Sequence, residues 1–395
     1  MSAESFEILV IGSGVTGGSI AYHAARQGRR VIVIERAEPG VEPAASWASA
    51  GGVRRMGRDP AEVPLAIEAL ERWKTLEEEL DADLNYHRDG MLRVAESDTE
   101  AETVAAFVKR QQANGLDDIQ FIERAEARAL VPGLNDRVTA ACWSPSDGHA
   151  TPPLTTRAFA RAAQRHGAVY RNGVQTTGLV LRGGRVVGVQ TTEGEIGADA
   201  VVLAAGAWSD EIAATIGFQL PIRTRALQML LSTPGPVGTL KPVLSAVSRA
   251  LSLKQLPTGE FFLGGGWLGD PTADRRGYTM RPESEEGNWV VAAGLLPAVG
   301  AERVARKWCG LEAESFDGLP FIGRAPGIDG LTVAVGFSGH GFAISPAVGR
   351  TVADLLAGKP VPELDGLSLA RITDFDPGAV ERFIATPPEA KVLAG

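Results

Sequence analysis

Phe6-Glu-Ile-Leu-Val-Ile-Gly-Ser-Gly-Val-Thr-Gly17 decides the fold. Residues 6–11 are an apolar run of strand length that ends directly in glycines at 12, 14 and 17. Residues 15–27 are Ala-rich and read as a helix, residues 30–34 (RVIVI) read as a second buried strand, and Glu35 sits at its tip. The glycines differ in what they make possible. Gly12 permits the tight turn, Gly14 removes a side chain where a pyrophosphate must approach, and Gly17 lets helix and strand pack closely. The helix N-terminus offers free N–H groups and partial positive charge to phosphates. Glu35 is placed to accept hydrogen bonds from a ribose 2′-OH, which disfavours a 2′-phosphate and so NADP. A glycine turn alone is a weak signal; strand, turn, helix, strand and acid in order make a dinucleotide-binding unit. Which dinucleotide is left open by this stretch.

Outward from that unit, residues 37–56 form a loop rich in Pro, Ala, Ser and Gly. Within it Ala48-Ser-Ala-Gly-Gly52 has small side chains only, so its backbone can approach something flat or bulky. Residues 60–80 carry a helical apolar stripe, and the acidic tail 77–83 reads as a solvated face. Residues 85–94 read as a strand and 101–114 as a helix. From 168 onward short strands alternate with glycines, ending in a buried strand within 198–206 that runs into Gly206 and Trp208. Residues 219–266 are strand-rich. A strand at 331–335, a glycine turn Gly336-Phe-Ser-Gly-His-Gly341 and a helix from about Pro346 to 356 close the pattern. Nucleotide-type strands occur at the start, middle and end, so two domains must interleave.

Size and composition set bounds. The 395 residues suffice for two domains with proper cores. Hydrophobic content of 44% and charged content of 22% are those of an ordinary globular protein. A net charge of −9 disfavours nucleic acid as a partner. No charged n-region with an apolar stretch stands before the first strand, so no secretory signal is expected, and no apolar run reaches membrane-span length. The two cysteines, Cys142 and Cys309, lie far apart, which fits a reducing compartment and offers no zinc site. The expected location is the cytoplasm, with a peripheral place at the inner membrane as the variant of it, and no metal is expected.

Three separated pieces are jointly similar to one family. The N-terminal glycine turn, the middle Ala198-Asp-Ala-Val-Val-Leu-Ala-Ala-Gly-Ala-Trp208, and the C-terminal Asp317-Gly-Leu-Pro-Phe-Ile-Gly323 with Gly336-Phe-Ser-Gly-His-Gly-Phe342 resemble the FAD-dependent D-amino-acid oxidase superfamily. The branch holding sarcosine oxidase β-subunits, glycine oxidase, and amino-acid, opine and proline dehydrogenases is the most similar. Residues 221–228 and 249–255 resemble the β-subunit-like members. The resemblance implies an α/β and β-rich fold: a Rossmann-type, glutathione-reductase-like FAD domain (1–82, 146–215 and 308–395) interleaved with a substrate domain on a mixed or antiparallel sheet (83–145 and 216–307).

It also implies where FAD would lie. Gly12, Gly14, Val15, Thr16 and Gly17 would hold the pyrophosphate and Glu35 the ribose, and Arg36 and Val174 would also contact the cofactor. Ser46, Ala48, Ser49, Ala50, Gly51 and Gly52 would lie along the flavin, and Ala205, Gly206 and Trp208 beside the dinucleotide. Gly310, Gly336, Ser338, Gly339, His340, Gly341 and Phe342 would complete the cradle, the turn's N–H groups facing the flavin N1–C2=O.

The implied reaction is oxidation of a C–N bond by hydride transfer to flavin N5, giving an imine that water hydrolyses. Such a site needs a dry pocket and an arginine to grip the substrate carboxylate in its fork. Candidates are Arg54, its neighbour Arg55, Arg225 and Arg249, and His340 is the candidate at the flavin turn. Monomeric sarcosine oxidase carries a lysine over the flavin that promotes reaction with oxygen. The corresponding stretch here, residues 261–267, has none, and the nearest is Lys254; this favours a dehydrogenase passing electrons to a quinone or carrier over an oxidase using O2. Cys309 lies near the residue through which those oxidases attach flavin, yet a packing cysteine beside Trp308 is the stronger reading, so FAD is expected to be non-covalent. Oxidation of a 2-hydroxy acid, and a flavin-binding subunit of a multi-chain complex, are the alternatives; a homo-oligomer is the other assembly open to it.

Overall fold

A computed structural model describes residues 6–374 and 376–388. Its first sheet has eight strands. The strands Phe6–Ile11, Val31–Glu35, Val169–Asn172, Gly194–Leu203 and Leu331–Val335 run parallel, and Phe321–Arg324 adds an antiparallel edge. Burial on both faces explains the near-continuous apolar runs of Phe6–Ile11, Val31–Glu35 and Leu331–Val335, and of 201–203 at the end of Gly194–Leu203. Helices Val15–Arg26, Pro152–Arg165 and Gly341–Leu356 pack on one face around Ile8, Val10, Ile20, Phe159 and Val348. Their approach depends on glycine: a Cβ on Gly349 would fall 2.0 Å from Ser19 Oγ. The opposite face is covered by the hairpin Thr176–Arg182/Arg185–Thr191, which brings Leu179, Val186 and Val189 against Leu9 and Val201.

The second sheet has ten strands. Ile222–Pro234 is its spine, antiparallel to Val304–Ser315 along its length, and also antiparallel to Glu260–Gly264 and Leu268–Pro271. Beyond Glu260–Gly264 come Ser252–Gln255, Val243–Ala246, Met91–Ala95, Ala140–Ser144 and Gln120–Glu123, with Val243–Ala246 and Met91–Ala95 the parallel pair. One face is covered by helices Arg124–Leu130 and Pro282–Leu295 over Leu92, Leu244, Leu253 and Leu263. The period-two alternation then turns Met91, Arg93, Val243, Ser245, Arg225, Leu227 and Met229 to the other face, toward the first sheet. The expected division at residue 308 falls inside strand Val304–Ser315, which belongs to this second sheet.

Several local expectations differ from what is seen. The helix expected from Pro346 begins at Gly341, and Pro346 lies inside it. Proline has no N–H for the Phe342 carbonyl, and the Ser345 hydroxyl donates to that carbonyl at 2.9 Å instead. Residues 60–80 form two helices, Val63–Trp73 and Leu76–Leu80. The acidic tail is structural: Glu77 Oε1 accepts the Leu84 N–H at 2.8 Å, and Glu79 Oε1 accepts from the Tyr22 hydroxyl at 3.0 Å. The loop 37–56 contains a helical turn, Ala45–Ala48, and a two-residue strand, Gly52–Val53, paired with Gly148–His149. The strand expected over 85–94 is confined to Met91–Ala95.

Candidate active site

Between the two sheets runs a cleft of about 750 Å³, from the glycine turn at Gly12–Thr16 to a group of arginines on the second sheet's side. Two kinds of glycine build its first end. A Cβ on Gly12 (φ +92°) would lie 2.7 Å from Ala204 O, and one on Gly17 would lie 2.0 Å from Gly12 O, so these two serve the packing of turn against strand. Gly52 and Gly206 would present a Cβ to no atom within 4 Å, and both line the cleft; they front open space. Ser46 Oγ accepts the Val15 N–H at 3.0 Å, tying the loop to the helix start.

Glu35 is held by the turn it was expected to serve. Its Oε2 accepts the Ser13 N–H at 2.7 Å and its Oε1 the Ala37 N–H at 3.0 Å. Each carboxylate oxygen keeps a further lone pair for a donor in the cleft. The Arg36 guanidinium lies 3.6 Å from the centre of a Trp208 ring, a stacking contact that stiffens this end. Val174 does not line the cleft: its side chain is buried in the core beneath the first sheet, and its neighbours Gln175 and Thr176 face the cavity.

In the middle, the 48–52 loop is pressed onto strand Val304–Ser315. Trp308 Nε1 donates to Ala48 O at 3.0 Å, and a Cβ on Gly310 would meet Ala48 Cβ at 2.4 Å. Ser49 Oγ accepts the Gly51 N–H at 3.1 Å. Gly310 therefore faces the loop and the cleft, while Cys309, one residue away, points to the strand's other side. Its Sγ lies 3.5 Å from Met280 Sδ, it does not line the cleft, and burial pushes its thiol pKa up to about 12.

The turn 336–341 bends through Gly336 (φ +74°), Ser338 (φ +51°) and Gly339 (φ +97°). Ser338 tolerates the left-handed conformation because its hydroxyl is fixed, accepting the Ser315 N–H at 3.0 Å. The Gly339 N–H donates to the Glu312 carboxylate. His340 Nδ1 is 3.2 Å from Glu62 Oε1, and Gly341 opens helix Gly341–Leu356 with Phe342 in its first turn.

The far end is made of side chains. Arg54 is half-buried against the cleft, donates to Met56 O, and has its pKa lowered by desolvation there. Arg58, 3% exposed, donates to Arg54 O and His340 O, both at 3.2 Å, and stands 3.6 Å from Glu62. Asp147, fully buried, accepts the Arg55 and Met56 N–H groups at 3.0 and 3.2 Å, which fixes the segment that aims Arg54. Arg225, 4% exposed, gives Nη1 to Glu314 Oε1 at 3.2 Å, while its Nε and Nη2 have no hydrogen-bond partner. Arg93, Met56, Met91 and Val243 complete the walls. Burial acts against the Glu62 charge, but the His340 hydrogen bond and the Arg58 and Arg54 cations hold its pKa down at about 2. Burial draws His340 below the usual imidazole range, outweighing the opposite pull of Glu62.

The structure thus brings Arg54, Arg225 and His340 to one cleft with the glycine turn, the small-residue loop, Ala205, Gly206, Trp208 and Gly310. It does not bring Arg249 there: that guanidinium is ion-paired with Glu96 and does not line the cavity. Arg55 pairs with Asp118. Sequence reasoning missed Arg58, Glu62, Arg93, Glu312 and Asp147. Strand alternation from Gly310 carries a signal for Glu312, and the four-residue spacing of Arg54, Arg58 and Glu62 carries one for that group. Nothing local marks Asp147. Among the described residues no group of three or more His, Cys, Asp or Glu is placed to hold a metal ion.

Comparison with known proteins places these features in context. A family described as FAD dependent oxidoreductase matches residues 7–355. A glycine oxidase from Pseudomonas aeruginosa is 30% identical over 367 residues, covering 90% of this chain and 96% of that protein. The sarcosine oxidase subunit beta of Rhodobacter capsulatus is 27% identical over 373 residues, covering 89% and 85%. The crystal structure of L-proline dehydrogenase from P. horikoshii aligns with a TM-score of 0.84 at 31% identity, covering 92% of this chain and 96% of that one.

Proposed function

From the premise that the chain belongs to the FAD-dependent oxidoreductase family, which spans residues 7–355, we propose that it oxidises the C–N bond of an amino acid or secondary amine. The observation that carries this is one continuous cleft joining the glycine turn to buried arginines. The residues present fit FAD: Gly52 and Gly206 front space that a Cβ would otherwise enter, and small residues alone face the cavity along 48–52. Gly12 to Gly17 would hold the pyrophosphate, Glu35 the ribose, and the 48–52 and 336–342 segments the flavin. A bound FAD supplies the two-electron acceptor for the hydride. Non-covalent binding is supported by the cysteines: Cys309 packs against Met280 off the cleft, and Cys142 is buried outside it.

The protein's own residues do the rest. Arg54 takes the substrate carboxylate in its fork, its aim fixed by Asp147 and Arg58. The apolar walls from Met56, Met91, Leu227 and Met229 exclude water and hold the substrate carbon over the flavin site. Arg225 is the second cation at this end, lining the cleft while its Nη1 pairs with Glu314. Lys254 is buried off the cleft, and among the described residues no lysine lines the cavity, which supports a carrier or quinone over O2 as the electron acceptor. The likeness to a sarcosine oxidase β subunit supports a second reading, a flavin subunit that turns over only with partner chains. Among the described residues no helix is long and apolar enough to cross a membrane.

The test is a visible spectrum of the purified protein, then anaerobic addition of glycine, N-methylglycine, L-proline, D-amino acids and 2-hydroxy acids. Bleaching of a flavin band by an amine is expected. Bleaching by hydroxy acids alone, or absence of a flavin band after FAD is added, would overturn the proposal. Bleaching without turnover on an artificial acceptor would favour the subunit reading.

A further inference from the structure

The amine that enters this cleft arrives at neutral pH as an ammonium ion, and its nitrogen needs a lone pair before the adjacent carbon can release hydride. Some group must take that proton. His340 lines the cleft beside Arg54, its ring 21% exposed, and its Nδ1 is committed to Glu62. Glu62 is 2% exposed and sits at the N-cap position of helix Val63–Trp73, with Arg58 against it at 3.6 Å. An ionised carboxylate only accepts, so the Nδ1 facing it carries the proton. The lone pair of the neutral ring is then on Nε2, the ring nitrogen left for a group in the cleft.

We propose that His340 Nε2 accepts the substrate ammonium proton, and that Glu62 is the positioning residue that fixes the tautomer and stabilises the imidazolium. This rests on the amine-oxidising reading above. In the step, a substrate N–H bond breaks, its electron pair stays on nitrogen, and the proton goes to the Nε2 lone pair. Glu62 keeps its charge and Nδ1 keeps its hydrogen; the imidazolium later loses the proton to solvent. The charged groups facing His340 are Glu62 and Arg58 from the segment before the helix, Arg54 from the segment after Gly52–Val53, and Glu312 from strand Val304–Ser315, which holds Gly339. Burial, with a smaller push from the two arginines, keeps the resting ring neutral, and Glu62 offsets them once the proton arrives. His340 is drawn down in pKa by burial, consistent with a base that is free at neutral pH.

The experiment uses the FAD-loaded protein and follows anaerobic flavin bleaching by N-methylglycine and L-proline from pH 5 to 10. H340N should slow bleaching at pH 7 by about 10²-fold, with the rate climbing as the free amine grows in solution. E62Q should slow it about 10-fold and move the acid limb of the profile to lower pH with the flavin spectrum unchanged, while the melting temperature falls because buried Arg58 loses its carboxylate. N-(2,2,2-trifluoroethyl)glycine, a much weaker base, should largely erase the H340N deficit. An E62Q profile that overlays wild type, or an H340N deficit equal for both classes of amine, would overturn the assignment. Wild-type flavin that no amine bleaches would instead sink the amine reading, and the base with it.

Discussion

The two ends of the cleft are built by opposite means. At the glycine turn the work is done by backbone: one unbroken stretch of chain, from strand Phe6–Ile11 to Glu35, supplies N–H groups, a helix end and room, and side chains matter mostly by their absence. At the arginine end almost everything is side chain. Arg54, Arg225 and His340 come from segments far apart in the chain; Glu62, the partner of His340, shares the 54–62 segment, while Asp147 behind Arg54 and Glu314 beside Arg225 come from others again. A site made of local backbone leaves a compact trace in sequence, whereas a site made of convergent side chains leaves scattered single residues. The first end should be intolerant of small additions, and the second of lost charges.

The sharpest way to break the first end is Gly17→Val. The new Cβ would fall 2.0 Å from Gly12 O, a backbone atom that cannot swing away. We expect at least about 3 kcal/mol of destabilisation from overpacking, and a protein that emerges without flavin. Thermal unfolding with and without added FAD checks both. A stable, yellow variant would mean that helix Val15–Arg26 can retreat from its strand without losing the site.

At the opposite end, Arg54→Ala tests the side-chain rule. Removing a guanidinium that grips a carboxylate should raise KM for the active amino acid about 100-fold, which corresponds to ~2.7 kcal/mol, with the flavin spectrum unchanged. Arg249→Ala is the internal control: its guanidinium pairs with Glu96 off the cleft, so kinetics should stay within about 2-fold of wild type. Reversal of these two results would move the anchor to the far side of the second sheet.

What can be read from sequence alone follows the same divide. The turn, Glu35, the 48–52 loop and the 336–342 turn are legible because each is a short run whose glycines have local reasons. The first sheet is legible because strands buried on both faces are continuous apolar runs. Arg249 stands out in sequence and Arg58 and Arg93 do not, because no local pattern tells which face of a mixed sheet an arginine takes until its register is known. Val174 misses the cavity by one residue for the same reason: in a strand or its extension, one step exchanges cleft for core. Pro346 misplaces the helix start because a first-turn proline is the commoner case, and here a serine hydroxyl takes over the missing donor's role.

Lys254 offers a smaller effect that reports on the second sheet alone. It alternates onto the cleft side of strand Ser252–Gln255 but lies under the loop at His149 and Ala150, with its nitrogen 3.5 Å from each of His149 Nδ1 and Ala150 O. Burial lowers its pKa from the usual 10.5 to about 7. Between those two values the unfolded chain holds a proton that the native protein has shed, so native stability rises with pH across that window; below pH 7 the full cost of the buried charge stands. Lys254→Met should therefore stabilise the protein by about 2 kcal/mol at pH 6, with the gain shrinking toward zero near pH 10. Denaturant midpoints at three pH values check the slope, and a pH-independent gain would show that packing, not charge, is what the lysine spoils.

The least effect of all is expected at Cys309, and that expectation bears on both ends at once. Its sulfur packs against Met280 on the side of the strand away from the cleft, next to a glycine whose own face touches Ala48. A strand residue cannot present its side chain to both faces, so a sulfur that reaches the flavin would need the register of Val304–Ser315 to slip by one, which would also turn Glu312 and Glu314 away from Gly339, Arg223 and Arg225. Cys309→Ala should cost at most about 1 kcal/mol and leave the flavin spectrum, and its release on acid precipitation, as in wild type. Flavin that stays with the acid pellet in wild type and leaves it in the variant would require the slipped register, and with it a different arginine end.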